Sequence, residues 1–335
     1  MKLSKIVSGA LLASSVLAVS SVASSDMAKW IMPKEAPSPA NNKTTPAKVE
    51  LGKLLYFDAR LSKSGQVSCA TCHHPEKGWS DAVPKAVGVH GRVGPRNSPT
   101  ILNSGFQTHQ FWDGREKTLE GQAVGPMQAG VEMDMKLEDV LRIVKSKEGY
   151  VSMFKEAFPD EELTINTVAK AIASFERTVI SQESPFDLYA KGNNNAISAD
   201  AAMGFSLFQG KAACTTCHDG FNFTDGSFHN VGLGDGDIGR QALKMKRKAW
   251  KGAMKTPTLR DITKSAPYFH DGSVQTLQEA VAICGNGGRY ADTPGKSADI
   301  KNRNLSTKDI DQITEFLKSL TGPDLPIIIP TKFPN

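Results

Sequence analysis

Cys69-Ala70-Thr71-Cys72-His73 and Cys214-Thr215-Thr216-Cys217-His218 are the two stretches on which the reading of this chain turns. Each is a CxxCH unit. Its two thiols and its imidazole lie within one turn of backbone. Both sulfurs can therefore form thioethers at one edge of a haem while the histidine ligates the iron. A redox-active CxxC or a zinc site would use the same letters. Two units in equivalent surroundings favour covalent haem, one on Cys69 and Cys72 with His73 as iron ligand, the other on Cys214 and Cys217 with His218.

The surroundings repeat. LGKLLYF, beginning at Leu51, leads to the first unit, and MGFSLFQGKAA, beginning at Met203, leads to the second. Downstream, SPTILN and QFWDGREKTLE have their counterparts in TPTLRD and YFHDGSVQTLQ. Phe111, Asp113, Gly114, Thr118 and Leu119 fall on Phe269, Asp271, Gly272, Thr276 and Leu277 at one constant offset. A repeat this long reads as two homologous domains, not as solenoid units. We place them at 47–192 and 193–319, divided near Gly192-Asn193-Asn194-Asn195.

Apolar residues recur at three- and four-residue spacing in Val49–Phe57, Leu137–Lys147, Ile165–Ile180, Ala199–Phe208, Thr276–Ile283 and Thr307–Leu320, which predicts helices there. Thr164, Ser198 and Ser306 are suitable N-caps, and Pro46 suits a first helical turn. No set of alternating strands stands out. The loops are long and rich in Gly, Pro and Asn, as loops that wrap a large cofactor can be.

The 335 residues suit two modest domains, and a hydrophobic content of 39% is that of a globular chain. The formal charge is +5. Part of the excess lies in Lys244–Lys251 (KMKRKAWK), which reads as a solvated loop. A nucleic-acid surface would interleave aromatics among the basic residues, and only Trp250 does so. Lys2 and Lys5, the apolar stretch Ile6–Val19 and the small-x-small Ser21-Val22-Ala23 read as a signal peptide over 1–23. Export to the periplasm follows, with no stable membrane anchor. A polar, Pro-rich segment within 24–46 reads as a flexible lead-in. Export ordinarily invites disulfides. Here four of the five cysteines belong to the CxxCH units, and Cys284 is left over.

The chain resembles the bacterial dihaem cytochrome c peroxidase family, which includes the related methylamine dehydrogenase maturation enzymes. The resemblance runs from about Val49 to Leu320. It is carried by LSKSGQVSCATCH, GPRNSPTILN, QFWDGREKTLEGQAVGP, Val131–Met133, CTTCHDG and TPTLRDITKSAPYFHDG. It implies a mainly α fold of two cytochrome c-like domains with their haems facing, and a tail, 320–335, packed back on the N-terminal domain.

The resemblance also assigns residues. His90 matches a second, displaceable histidine on the N-terminal haem; a plain loop histidine is the alternative. Trp112 matches the tryptophan between the haems, and Gln122 and Glu132 the polar pair of the peroxide pocket. There a carboxylate can move protons while an amide orients the substrate. Asn97 matches the side chain that binds calcium between the domains, with backbone carbonyls near Lys255 and Pro257. Where the peroxidases place a methionine to close the C-terminal haem, this chain has Cys284. Either Cys284 ligates that iron or Met245 or Met254 does.

The activity implied is reduction of hydrogen peroxide with electrons from a small periplasmic cytochrome c or a blue copper protein. Oxidation of side chains on a partner protein is the second expectation, and a non-catalytic electron carrier the third. The family also forms homodimers.

Overall fold

The computed structural model describes residues 27–243 and 250–335. The expected signal peptide, Met245 and most of the basic run lie outside the described residues.

Among the described residues the chain is mostly helical: α1 Pro46–Phe57, α2 Cys69–Cys72, α3 Leu119–Gln128, α4 Leu137–Lys145, α5 Glu148–Ala157, α6 Ile165–Glu176, α7 Pro185–Ala190, α8 Ala199–Gln209, α9 Leu277–Gly285 and α10 Thr307–Ser319. The caps explain the starts. Pro46 occupies the first turn of α1, and the side chains of Thr164, Ser198, Thr276 and Ser306 accept backbone N–H groups at the N-termini of α6, α8, α9 and α10. Helix α3 forms although it contains Gly121, Gly125 and Pro126. Thr118 caps it, and Leu119, Ala123 and Met127, four apart, bury one face. The only paired strands among the described residues are β1 Phe228–His229 and β2 Met254–Lys255, antiparallel and two residues each.

Two hydrophobic clusters form. One gathers Leu51, Tyr56, Val140, Ile172 and Phe175 from α1 to α6. The other gathers Phe186, Phe205, Phe208, Phe223 and Phe316 around α7, α8 and α10. Each is built on one close helix crossing. A Cβ on Gly52 of α1 would lie 1.9 Å from Ala171 O of α6, and one on Gly204 of α8 would lie 1.9 Å from Gln312 O of α10. Only glycine lets these backbones approach so closely.

The two halves repeat one backbone geometry. Phe111 and Phe269 both take positive φ (65° and 66°), as do Asn103 and Asp261 (62° and 54°). Isolated bridges join Gln110 to Glu116 and Tyr268 to Val274. In each half a threonine, Thr118 or Thr276, then caps the next helix.

The chain ends are exchanged between the halves. Trp30 is fully buried in the C-terminal cluster, stacked on Phe223 at 4.9 Å, and its carbonyl accepts from Arg260 Nη2 at 2.7 Å. Residues 27–46, the described part of the expected flexible lead-in, are thus anchored. Asn42 of the same segment is buried too, and its amide donates to Lys170 O and Glu120 Oε1. The Pro-rich composition gave no sign of one indole and one amide pinning the segment at both ends. At the other terminus Leu325, Ile327, Ile329 and Phe333 pack on the N-terminal cluster, and Arg60 donates to Pro334 O.

Trp30→Ala is expected to cost about 3–5 kcal/mol, because the neighbouring rings cannot collapse into the space left. Denaturant unfolding of the full chain measures it.

Candidate functional site

A cavity of about 710 Å³ lies between the halves. Cys72, His73, Asn97, Trp112, Gln122 and Glu132 line it from the N-terminal half. Cys214, Cys217, His218, Met254, Lys255, Pro257 and Cys284 line it from the C-terminal half. Of the described residues expected to hold the two haems, all but Cys69 and His90 line this one space.

Both CxxCH histidines are oriented by a backbone carbonyl. His73 Nδ1 is 3.0 Å from Pro99 O, and His218 Nδ1 is 2.8 Å from Phe223 O. A carbonyl only accepts, so Nδ1 carries the proton in each ring and Nε2 keeps its lone pair. Burial pushes both imidazoles below their usual pKa, toward the neutral form a metal requires. Tyr56 fixes the first unit by donating its hydroxyl to His73 O at 2.8 Å. The zinc alternative gains nothing here. Among the described residues, the one cluster with ligand spacing joins Cys217 to Asp225 and His229, and it leaves Cys214 aside. The donor set and the roomy, largely apolar surround fit a covalently held haem in each half.

Helix α3 and the turn after it furnish the polar wall on the N-terminal side. Gln122 projects from α3, and Glu132 follows it in a turn closed by Glu132 N–H to Ala129 O at 2.9 Å. Burial raises the Glu132 carboxyl above its ordinary pKa, opposed by Arg115. Arg115 lies 3.4 Å over the Phe111 ring and pairs with Asp113.

Trp112 sits at the seam. Its indole N–H donates to Asn97 O at 2.9 Å, and its carbonyl accepts from Lys255 N–H at 2.6 Å. Its ring meets the ring of His270, from the other half, edge-on at 6.2 Å. His270 is held in turn by Asp235 at 2.7 Å. The Asn97 amide donates to Val83 O, so its Oδ1 is the atom left to serve a cation, and Lys255 and Pro257 line the same cavity. An all-oxygen set of this kind suits calcium.

On the C-terminal side, Leu277, Ala280, Val281 and Cys284 form the cavity-facing stripe of α9. Burial pushes the Cys284 thiol up to about 12. It is a neutral thiol unless a metal ion inverts that preference. Met254 also faces the cavity, from β2.

His90 is not brought into the site. It is exposed, on a turn at φ 57°, and outside the cavity lining. The cause is local. Val89 N–H is held by Glu132 O at 2.8 Å and Val89 itself is buried, so the next residue turns outward.

The sequence reading passed over Arg96. Its guanidinium donates to Asp113 at 2.7 Å and to Asp237 of the other half at 2.7 and 2.9 Å. It stands in GPRNSP, a stretch that composition alone marks as a loop. It also passed over Lys255 as a side chain. That buried ammonium donates to Gln107 Oε1, and desolvation pushes it down to about 8.

The sequence model of di-haem cytochrome c peroxidases matches residues 46–195. Over 306 residues the chain is 42% identical to the methylamine utilization protein MauG of Methylorubrum extorquens, covering 90% of this chain and 86% of that one. It is 37% identical over 311 residues to the cytochrome c551 peroxidase of Nitrosomonas europaea, covering 90% and 88%. Among solved structures it is similar to a MauG-like protein associated with microbial copper homeostasis, with TM-score 0.79, 30% identity and coverage of 87% and 95%.

Arg96→Met should separate the halves' electrostatics from their packing. Hydrogen bonds from Arg96 lead the causes that bring Asp237 from 3.8 to about 2. The folded form thus gains stability above the unfolded pKa and loses it as pH falls from about 4 to about 2. The variant should lose about 3 kcal/mol at neutral pH and show a smaller acid step. Unfolding curves across that pH range test this.

Proposed function

Because the chain belongs to the di-haem cytochrome c peroxidase family, we propose that it is a periplasmic peroxidase reducing hydrogen peroxide to water with electrons from a small cytochrome c or a blue copper protein. As a family member it is an oxidoreductase, and the family implies two c-type haems. The proposed holders are Cys69, Cys72 and His73 in one half and Cys214, Cys217 and His218 in the other. In this reading the halves are two cytochrome c-like domains derived from one duplicated ancestor.

One observation carries the reading. Gln122 and Glu132 share a cavity with His73, and that cavity continues past Trp112 to His218. Peroxide reduction consumes two protons and two electrons. When bound, the haems supply the iron and the store for those electrons. The buried Glu132 carboxylate takes the proton from the near peroxide oxygen and returns it to the departing one, while the Gln122 amide orients the molecule. With His90 turned outward, the face beside Gln122 and Glu132 is left to the substrate. Trp112, hydrogen-bonded to both halves, is the connecting group between them. Asn97 Oδ1 with the Lys255 and Pro257 carbonyls is the proposed calcium set, tying the same seam.

Cys284 favours a second reading. A thiolate stabilises ferric iron and lowers the potential, whereas the Met254 thioether would favour ferrous iron. A C-terminal haem held by Cys284 would accept poorly from a high-potential donor. It would suit storage of an oxidising equivalent for use on a partner protein's side chain.

Glu132→Gln should abolish peroxide turnover with both haems retained; unchanged turnover would remove Glu132 from the mechanism. In the wild type the acid limb of kcat/KM should lie above the ordinary carboxylate range, since burial raises Glu132 and its base form is lost as pH falls. Cys284→Ser should change the absorption spectrum of one haem only. Stopped-flow mixing of half-reduced protein with peroxide, then with reduced cytochrome c, separates the two readings. Rapid turnover with two donor electrons per peroxide marks the peroxidase. An oxidised species that the donor reduces slowly marks the side-chain oxidase.

A further inference from the structure

Glu176, on the last turn of α6, lines the same cavity and plays no part in the chemistry described above. It is 4% exposed, and its Oε2 is sealed from water with no hydrogen-bond partner among the described residues. The Ser104 hydroxyl, in the 3-10 turn Ser104–Phe106 packed on α6, is equally buried and unpartnered and lines the same cavity. Two orphaned polar groups on adjoining elements mark a wall built to meet something that the polypeptide does not supply.

The charged surroundings do not neutralise Glu176. Tyr56 faces it from α1, Cys69 from α2 and Glu120 from α3, and Arg177 follows it on α6 itself. None of these is an iron ligand. Arg177 engages Glu120 through Nη2, 2.9 Å from Oε1, while its Nη1 is buried without a hydrogen-bond partner among the described residues, and Glu120 also accepts from Asn42. Burial pushes the Glu176 carboxyl up to about 8, with Arg177 opposing and Glu120 adding. A carboxyl in such a place holds or releases its proton according to the charge across the cavity.

We propose that Glu176 couples a proton to the electron accepted at the N-terminal haem. This rests on the reading that Cys69, Cys72 and His73 hold a haem in that space. One electron supplied by the donor cytochrome would reach the N-terminal half by way of the C-terminal half and Trp112, and one proton would pass from water to a Glu176 carboxylate oxygen. No other bond changes. The added negative charge raises the proton affinity of the carboxyl, and the proton in turn stabilises the reduced haem. Peroxide reduction needs protons and electrons in equal number. Glu132 moves protons at the substrate, and Glu176 keeps charge balanced at the haem wall while electrons arrive.

The test is spectroelectrochemical titration of the full-length, haem-loaded chain between about pH 6 and pH 9, the interval around a carboxyl raised this far. The N-terminal haem potential should fall with rising pH at close to one proton per electron. In Glu176→Gln, which keeps shape but cannot ionise, the slope should flatten, and the C-terminal haem should be unaffected. Glu176→Asp should keep a slope. A flat N-terminal slope in the wild type overturns the inference even if neither variant folds, and so does an equal slope in wild type and Glu176→Gln. Fewer than two haems per wild-type chain would overturn the haem reading and this inference with it; two haems with a flat slope overturn this inference alone.

Discussion

Two backbone hydrogen bonds set the relation of the halves. Asn97 N–H donates to His270 O at 2.7 Å, and Lys255 N–H donates to Trp112 O at 2.6 Å. The pair is reciprocal, because Lys255 stands in the second half where Asn97 stands in the first, and His270 where Trp112 stands. Each bond adds only about 0.5–1.5 kcal/mol net, but leaving such a buried group unpaired costs about 1–3 kcal/mol. A slip of the seam would forfeit both bonds and bury their donors and acceptors unmet. The Trp112–His270 ring contact and the shared cavity depend on that registry.

The seam is then locked from both sides. Arg96 crosses it to Asp237, and Arg240 crosses it in the opposite sense to Asp113 O and Gly114 O. The termini act at longer range, with Trp30 in the C-terminal cluster and the 325–333 segment on the N-terminal one. Each half is completed by chain belonging in sequence to the other end. Opening the cavity therefore requires parting packed aromatic and aliphatic surface as well as breaking polar contacts.

Much of this was legible in the sequence, for identifiable reasons. Each of the six periodic segments holds a helix because its buried face recurs at helical spacing, although the second stops at Lys145 and the third at Glu176, and Thr164, Ser198 and Ser306 cap where a side-chain oxygen is needed. Helix α3 escaped notice because two glycines and a proline outweigh its single buried stripe in any propensity count. Trp30 and Asn42 escaped because one buried residue in a polar segment leaves no period to read. Cys72, His73, Cys214, Cys217, His218, Gln122, Glu132, Trp112 and Cys284 line one cavity, whereas Cys69 and His90 are outside its lining. Whether a loop histidine points in or out is decided by the Val89–Glu132 hydrogen bond, which no local pattern reveals. Glu176 was hidden for the opposite reason: in a strongly periodic helix a lone carboxylate is indistinguishable from a solvated one until its neighbours are known.

The two halves line the cavity differently on equivalent helices, α3 and α9. At the offset that maps Thr118 onto Thr276, Gln122 corresponds to Ala280 and Pro126 to Cys284, and all four line the cavity. On α9 the apolar Ala280 offers a substrate no hydrogen bond, and one turn later Cys284 presents a sulfur able to become an anionic ligand. On α3 the amide of Gln122 is free to orient a polar molecule, and the proline one turn later has no donor atom for a metal. In the proposed reading, the equivalent helices would close one iron site and leave the other open. A division of labour between the haems would need only these substitutions on a repeated frame, with the reciprocal seam keeping the open and closed sites at a fixed separation.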